Sequence, residues 1–123
     1  MTDKIYQLKI TLKDIEPPIW RRVLVQNGIT FNKLHKIIQA TFGWLDYHLF
    51  DFRFGDTIIW IPDPEYTAGE LYGPEVKDLN ARRTKIDDLL APGSRFIYRY
   101  DFGDEWKHEV VVEKILIPDN AIR

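Results

Sequence analysis

The sequence contains no cysteine and only one serine. The lack of cysteine excludes disulfides, thiolate nucleophiles and cysteine-bound zinc in this segment, and it is typical of proteins kept in a reducing cytoplasm. The one serine, Ser94, lies in Pro-Gly-Ser-Arg and lacks the Gly-x-Ser-x-Gly surroundings of a hydrolase nucleophile. We therefore do not expect covalent catalysis by serine or cysteine.

A strong charge of one sign and long apolar runs are also missing. The net charge is −2, so no overall field attracts nucleic acid or anionic lipid. The first four residues lack the apolar segment of a signal peptide, and no run approaches the length of a membrane span. We expect one cytoplasmic domain over residues 1–123 that does not associate with membranes.

Motifs for nucleotides and metals are absent as well. The sequence has no P-loop, no G-x-G-x-x-G, no H-E-x-x-H and no EF-hand loop. We therefore expect no cofactor, and the sequence disfavours an enzyme.

Aromatic residues, in contrast, are abundant: seven Phe, six Tyr and four Trp provide a core without disulfides or metals. Residues 5–13 alternate between apolar and polar, which predicts a half-buried strand. Two prolines interrupt this pattern, and residues 19–26 then predict a second strand. Because this second strand has apolar residues on both faces, we predict that it is central in the sheet.

A helix is predicted over residues 31–42. Thr30 can accept a hydrogen bond from its first turn, and Gly43 suits the left-handed position after its end. The apolar residues fall in one arc, and His35 lies at the edge of that arc.

A hairpin and an irregular region follow. A two-residue turn at 55–56 places Phe52 across from Ile59 and gives one apolar face. Residues 62–83 are rich in Pro and Gly, which indicates a long loop that is functional or mobile. Thr84 resembles a cap, so a short helix is predicted after it.

The last hairpin contains the densest chemistry in the chain. A three-residue loop over 103–105, or any loop of the same parity, makes both of its faces self-consistent. The predicted cross-strand pairs are Phe102–Trp106, Tyr100–His108, Tyr98–Val110 and Phe96–Val112 on one face, and Asp101–Lys107 and Arg99–Glu109 on the other. The chain therefore predicts an α+β fold, with an antiparallel sheet built from hairpins, one main helix and one short helix in the order ββαββαββ.

Three histidines are candidate metal ligands or bases: His35, His48 and His108. They lack the i, i+4 spacing of helix-borne metal ligands and can converge only through folding. The acids that can join them are Asp46, Asp51, Asp101 and Asp104. The alternative is that His35 and His108 are buried and hydrogen-bonded, and no metal is assigned.

Basic residues form two groups that can contact phosphates if folding joins them. The groups are Arg21 with Arg22, and Arg82 with Arg83 and Lys85. In an acidic domain such groups are more often solvated. A recognition surface can also come from aromatic residues, although most of these are expected in the core: Trp44, Trp60, Trp106, Tyr66 and Tyr72.

Three blocks together resemble the plasmid pRiA4b ORF-3-like family, and they cover nearly the whole chain. They are Pro17-Pro18-Ile19-Trp20-Arg21-Arg22-Val23, Leu34-His35 with Phe42-Gly43-Trp44 and His48-Leu49, and Tyr98-x-Tyr100-Asp101-Phe102-Gly103-Asp104-x-Trp106-x-His108. The resemblance implies an α+β fold and a role for the matched positions in the fold or a shared site. Members occur in bacteria and archaea, some beside mobile elements, and their biochemical role is unassigned. Many members continue into a cysteine-containing tail that this chain lacks.

Three hypotheses about function result. The first is a protein-binding or adaptor module with an unknown protein partner. Its surface is expected from the loop of the last hairpin, the start of the strand at His48 and the loop over residues 62–83, and its candidate residues are His35, His48, Asp101, Asp104, Glu105, Trp106 and His108. The second is a nucleic-acid-associated accessory protein of a mobile element, using Arg21, Arg22, Arg82, Arg83 and Lys85. The third is a metal-dependent enzyme that uses His35, His48 and His108 with Asp101 or Asp104.

Overall fold

The structure, a computed structural model, describes residues 3–46, 48–101 and 104–118. It contains seven strands, two helices and one 3-10 turn over Ile86–Asp88. In chain order the strands and helices are β1 (Ile5–Leu12), β2 (Ile19–Gln26), α1 (Phe31–Phe42), β3 (Phe50–Phe54), β4 (Thr57–Trp60), α2 (Ala68–Tyr72), β5 (Lys77–Asn80), β6 (Arg95–Tyr100) and β7 (Trp106–Leu116).

All seven strands form one mixed sheet with the order β2-β1-β7-β6-β3-β4-β5. The prediction of a purely antiparallel sheet is wrong, because β5 pairs parallel to β4. The predicted loop over residues 62–83 contains α2 and β5, and α2 provides the crossover that a parallel pair requires. The sequence of this loop has weak helix and strand propensities, so neither α2 nor β5 was predicted.

The first hairpin has the predicted strands but a different position in the sheet. β1 and β2 pair from Ile5 with Gln26 to Leu12 with Ile19. β2 is an edge strand and not a central one, since it lies outside β1. Its outward apolar residues are exposed, with Leu24 at 59%. Apolar residues on both faces of this strand therefore did not mean burial on both faces.

α1 is confirmed together with its caps. The Thr30 hydroxyl accepts a hydrogen bond from the Lys33 amide at 3.1 Å, and Gly43 adopts the left-handed conformation with φ +74°. The helix packs on one face of the sheet, where Phe31 contacts Phe52 and Phe96 edge-on at centroid distances of 5.2 and 6.4 Å. The opposite face is partly covered by α2, whose Ala68 and Tyr72 pack with Ile58 and Trp60.

Of the two remaining hairpins, one has the predicted register and the other does not. The pairing of Phe52 with Ile59 is confirmed. In the last hairpin Tyr100 pairs with Trp106, so the predicted register is wrong by two residues, although its parity is right. The observed pairs are Tyr98 with His108, Phe96 with Val110, Ile97 with Glu109 and Arg99 with Lys107. Glu105 and Asp101 have positive φ and lengthen the connection, and Phe102 lies outside the described residues.

The short helix predicted after Thr84 is only the single 3-10 turn. The Thr84 hydroxyl donates to the carbonyl oxygen of Asn80 at 2.9 Å and does not cap a helix. The backbone here is engaged by distant partners, since the Ile86 amide donates to the carbonyl of Ile29. Within the described residues, no helix is long and apolar enough to cross a membrane.

Candidate binding site beside the end of helix α1

The connection between α1 and β3 is held onto the helix by a buried polar network. His35 Nε2 lies 2.7 Å from Asp46 Oδ1, and His35 Nδ1 lies 2.6 Å from the Tyr98 hydroxyl. The Gln39 side chain donates to the same hydroxyl at 2.8 Å and accepts from the Asp46 amide at 2.9 Å. The His35 ring also stacks on Phe50, with 3.6 Å between centroids. These contacts fix the position of Asp46.

The protons of this network can be assigned from its chemistry. A carboxylate only accepts, so Nε2 of His35 donates to Asp46 and Nδ1 accepts from the Tyr98 hydroxyl. Burial lowers the pKa of His35 despite the opposing effect of Asp46. The order carboxylate, imidazole, hydroxyl resembles a catalytic triad, but the Tyr98 side chain is fully buried. No substrate can reach this hydroxyl, so the network is structural.

His108 is buried nearby and is also fully hydrogen-bonded. Its Nδ1 lies 3.2 Å from the carbonyl oxygen of Tyr98, and its Nε2 accepts from the Trp44 indole at 3.3 Å. Burial lowers the pKa of His108 to about 4. The ring is therefore neutral at physiological pH and anchors Trp44 from below.

The three predicted histidines do not share one cavity. His35 and His108 are 1% and 0% exposed and bind protein groups through both ring nitrogens, whereas the His48 side chain is 53% exposed. Within residues 3–46, 48–101 and 104–118, no group of three His, Asp or Glu side chains is placed to hold a metal ion. His35 and His108, two residues of the predicted surface, therefore lie buried beneath that surface.

An apolar cavity of about 350 Å³ opens between this connection and α2. Its lining residues are Asp46, His48, Leu49, Phe50, Trp60, Ile61, Asp63, Tyr66 and Leu71. Leu49, Tyr66 and Leu71 are 62%, 50% and 48% exposed at its rim, although they are apolar. The volume lies at the lower end of the roughly 300–1,000 Å³ of ligand pockets.

A second cavity, of about 270 Å³, adjoins the first, since His48 lines both. We call it the aromatic cavity; it is lined by Gly43, Trp44, Leu45, His48, Tyr100, Asp101 and Trp106. Folding thus brings together His48, Asp101 and Trp106, three residues of the predicted surface. Asp104 and Glu105 follow Asp101 and are exposed.

The opposite face of the sheet carries a second buried network. Asp51 is 0% exposed and binds Arg99 Nη2 through Oδ2 at 2.6 Å. The Tyr72 hydroxyl donates to the same carboxylate at 2.7 Å, which holds α2 on the sheet. Arg99 also pairs with Glu105 at 3.1 Å. The predicted pairs of Arg99 with Glu109 and Asp101 with Lys107 do not form, because the register differs.

The two groups of basic residues in the nucleic-acid hypothesis lie at opposite ends of α1. Arg21 lies 5.9 Å from the Phe42 ring at the end of α1, and Arg22 points to the other face, where it binds Glu113. The carbonyl oxygen of Thr84 accepts from the Phe31 amide, the first of α1, so the second basic group lies at the start of the helix. The start and end of this helix are about 18 Å apart. This second group is Arg82, Arg83 and Lys85.

The sequence analysis singled out neither Leu49 nor Leu71 at the rim of the apolar cavity, although Leu71 lies in the 62–83 loop that it assigned to the interaction surface. A leucine in an irregular segment gives no periodic signal, because periodicity reports helices and strands. The aromatic residues Trp60 and Tyr66, which the sequence offered for a recognition surface, do line this cavity.

The model of the family described as plasmid pRiA4b ORF-3-like protein matches residues 4–123. The uncharacterized protein y4hQ of Sinorhizobium fredii (strain NBRC 101917 / NGR234) is 37% identical over 114 residues, which are 93% of this chain and 56% of that protein. This chain therefore spans little more than half the length of that relative.

A solved structure shows the same fold. The crystal structure of MM3350 from Methanosarcina mazei Go1, described as a protein of unknown function, superposes with a TM-score of 0.82 and 33% identity. The match covers 100% of this chain and 67% of that one. The fold described above is thus shared with a crystallographically determined protein.

Proposed function

We propose that this chain, which belongs to the plasmid pRiA4b ORF-3-like family, is a protein-binding domain whose apolar cavity takes an apolar side chain of its partner. The observation that carries the proposal is the ring of exposed apolar residues around a concave, apolar floor. Leu49, Tyr66 and Leu71 lie at the rim, and Phe50 and Trp60 are buried beneath them. Contiguous exposed apolar surface with a polar border is typical of interaction sites.

The walls of the cavity are pre-organised, which supports tight binding. Asp46 is fixed by His35 and Gln39, and α2 is fixed by the hydrogen bond between Tyr72 and Asp51. A rigid site loses less conformational entropy on binding than a mobile one. The buried networks therefore have a role that extends beyond stability.

The charges around the cavity favour a partner segment with basic residues. Asp63 lines the cavity, and Glu65 and Glu70 precede the rim residues Tyr66 and Leu71 in sequence, whereas the lining residue Asp46 already pairs with Lys36 at 3.4 Å. Lining lysines and arginines are absent among the described residues. Opposite charges at an interface increase association rates and discriminate between partners. Because the chain has no cysteine, we propose that it acts in the cytoplasm.

A displayed random-peptide library tests the proposal. We expect panning to enrich peptides that share one large apolar position with basic residues beside it. The variant Leu49→Asp places a charge at the rim and should weaken binding of those peptides by about tenfold or more, since burying one leucine is worth about 1.5–3 kcal/mol.

Leu24→Asp is the matched control, because Leu24 is 59% exposed but lies on β2, away from the cavity. It should leave peptide binding unchanged. If no peptides are enriched, or if both variants weaken binding equally, the apolar cavity is not a recognition site.

A further inference from the structure

We propose that the aromatic cavity binds an organic cation, namely the ammonium or guanidinium group of a partner's lysine or arginine, or a methylated form of either. Trp44, Tyr100 and Trp106 form its aromatic wall, and Asp101 supplies a carboxylate. The inference rests on the proposed function only for the identity of the molecule that carries the cation.

The aromatic wall is continuous. The Trp44 ring lies 5.4 Å from Trp106 and 5.8 Å from Tyr100, centroid to centroid, with interplanar angles of 33° and 37°. The His48 ring stands at 67° to Tyr100, with their centroids 5.7 Å apart. Faces of tryptophan and tyrosine attract cations that approach within about 6 Å of the ring centroid. A cavity lined by several such rings therefore favours a cation over a neutral group of equal size.

The carboxylate at this wall is held by the backbone. Asp101 adopts φ +60°, a left-handed conformation that Asp and Asn tolerate better than other non-glycine residues. Its amide donates to the carbonyl oxygen of Leu49 at 2.9 Å, which ties it to the connection that forms both cavities. Its side chain is 18% exposed, so a cation that reaches it is partly shielded from water.

The contacts of the Asp101 carboxylate within the described chain are long. Its Oδ2 lies 3.6 Å from His48 Nε2, and its Oδ1 accepts from the Asp104 amide at 3.4 Å. The nearby guanidinium of Arg99 is bound by Asp51 and Glu105 on the other side of the sheet. Asp101 therefore retains accepting capacity for a ligand.

The position of the cavity fits the proposed peptide partner. Because His48 lines both cavities, an apolar side chain in one and a cationic side chain in the other can belong to neighbouring residues of a single segment. The aromatic cavity, at about 270 Å³, is smaller than the roughly 300–1,000 Å³ of pockets for drug-sized ligands, which suits one charged group.

The experiment compares choline with 3,3-dimethylbutan-1-ol, a neutral molecule of nearly the same shape, by NMR of the tryptophan indole N–H groups. The protein has four tryptophans, and each Trp→Phe variant assigns one signal. We expect choline to shift the signals of Trp44 and Trp106 in a saturable way. Trp60 and Trp20 lie outside the cavity and should not shift, and the neutral alcohol should bind about tenfold more weakly.

Asp101→Asn tests the carboxylate without straining the backbone, because asparagine also tolerates positive φ. It should weaken choline binding about fivefold, because it removes one partly shielded charge. Asp104→Asn is the matched control on the same turn, since Asp104 does not line the cavity, and it should change little. Equal binding of choline and the alcohol, or equal effects of the two variants, would overturn the inference.

The two proposals can fail separately. Enriched peptides without a basic position, together with no binding of choline, would remove the cation site and keep the protein-binding function. Saturable binding of choline without any enriched peptide would keep the cation site and remove the peptide.

Discussion

Two regions of the molecule each expose a leucine to a similar extent but differ in the groups that surround it. In the open half, β2 exposes Leu24 (59%), which lines neither cavity, and Trp20 is flanked by Lys9 and Arg22 at 4.9 and 5.2 Å. In the cavity half, beside β3 and α2, Leu49 (62%) borders a concave floor supported by buried polar networks.

The difference shows that exposure alone does not identify a site. Two charged side chains of the open half, Lys9 and Arg22, lie over the Trp20 ring, which stays 43% exposed. This face therefore already has some contacts from its own chain. In the cavity half the buried pair of Asp51 with Arg99 and the contact of His35 with Asp46 support the surface from beneath, while Asp63 and His48 line the cavity itself. Concavity and buried support, and not the amount of exposed apolar area, distinguish the candidate site.

The largest expected effect contrasts one arginine–carboxylate pair from each half. Arg99→Ala leaves the fully buried Asp51 without its cation and should lower the free energy of unfolding by about 3–5 kcal/mol. Arg22→Ala breaks the exposed pair with Glu113 and should cost far less. Urea denaturation of both variants measures the contrast, and similar losses would refute it.

A smaller effect is expected from the hydroxyl at the centre of the buried network. Tyr98→Phe leaves His35 Nδ1 and the Gln39 amide without their shared partner, which should cost about 1–3 kcal/mol of unfolding free energy. Tyr66→Phe is the control, because Tyr66 is 50% exposed. The Asp46 amide should also exchange with solvent faster in Tyr98→Phe, and unchanged exchange would show that the network does not hold the loop.

The smallest effect concerns pH, and the two halves respond in different windows. The pKa of His108 is lowered from 6.5 to about 4, so the unfolded chain takes up the proton first as the pH falls. Stability should therefore fall by about 1 kcal/mol between pH 7 and 5.5. Arg22 lowers the pKa of Glu113 to about 2. The stability that this pair contributes in the open half should therefore be lost only as the pH falls below 4.5.

Urea denaturation across this pH range, with NMR titration of the His108 ring, measures both windows. In Arg22→Ala the loss of unfolding free energy below pH 4.5 should become smaller, whereas the loss between pH 7 and 5.5 should be unchanged. A His108 ring that titrates near 6.5 would contradict the assignment.

The site was predictable only in part. The sequence analysis singled out His48, Asp101 and Trp106, and the structure places all three at one cavity. It grouped His35 with them, although that ring is buried and bound on both sides. Residues that lie close in space through distant strands give no common signal along the chain.

What the sequence determined by itself is local. The caps of α1 at Thr30 and Gly43, the first hairpin and the pairing of Phe52 with Ile59 follow from contacts between near neighbours. Tertiary structure alone decided the parallel position of β5, the edge position of β2 and the two cavities. Strand order and burial depend on the apolar surface that distant segments remove from water together, and a single stretch of sequence does not encode that sum.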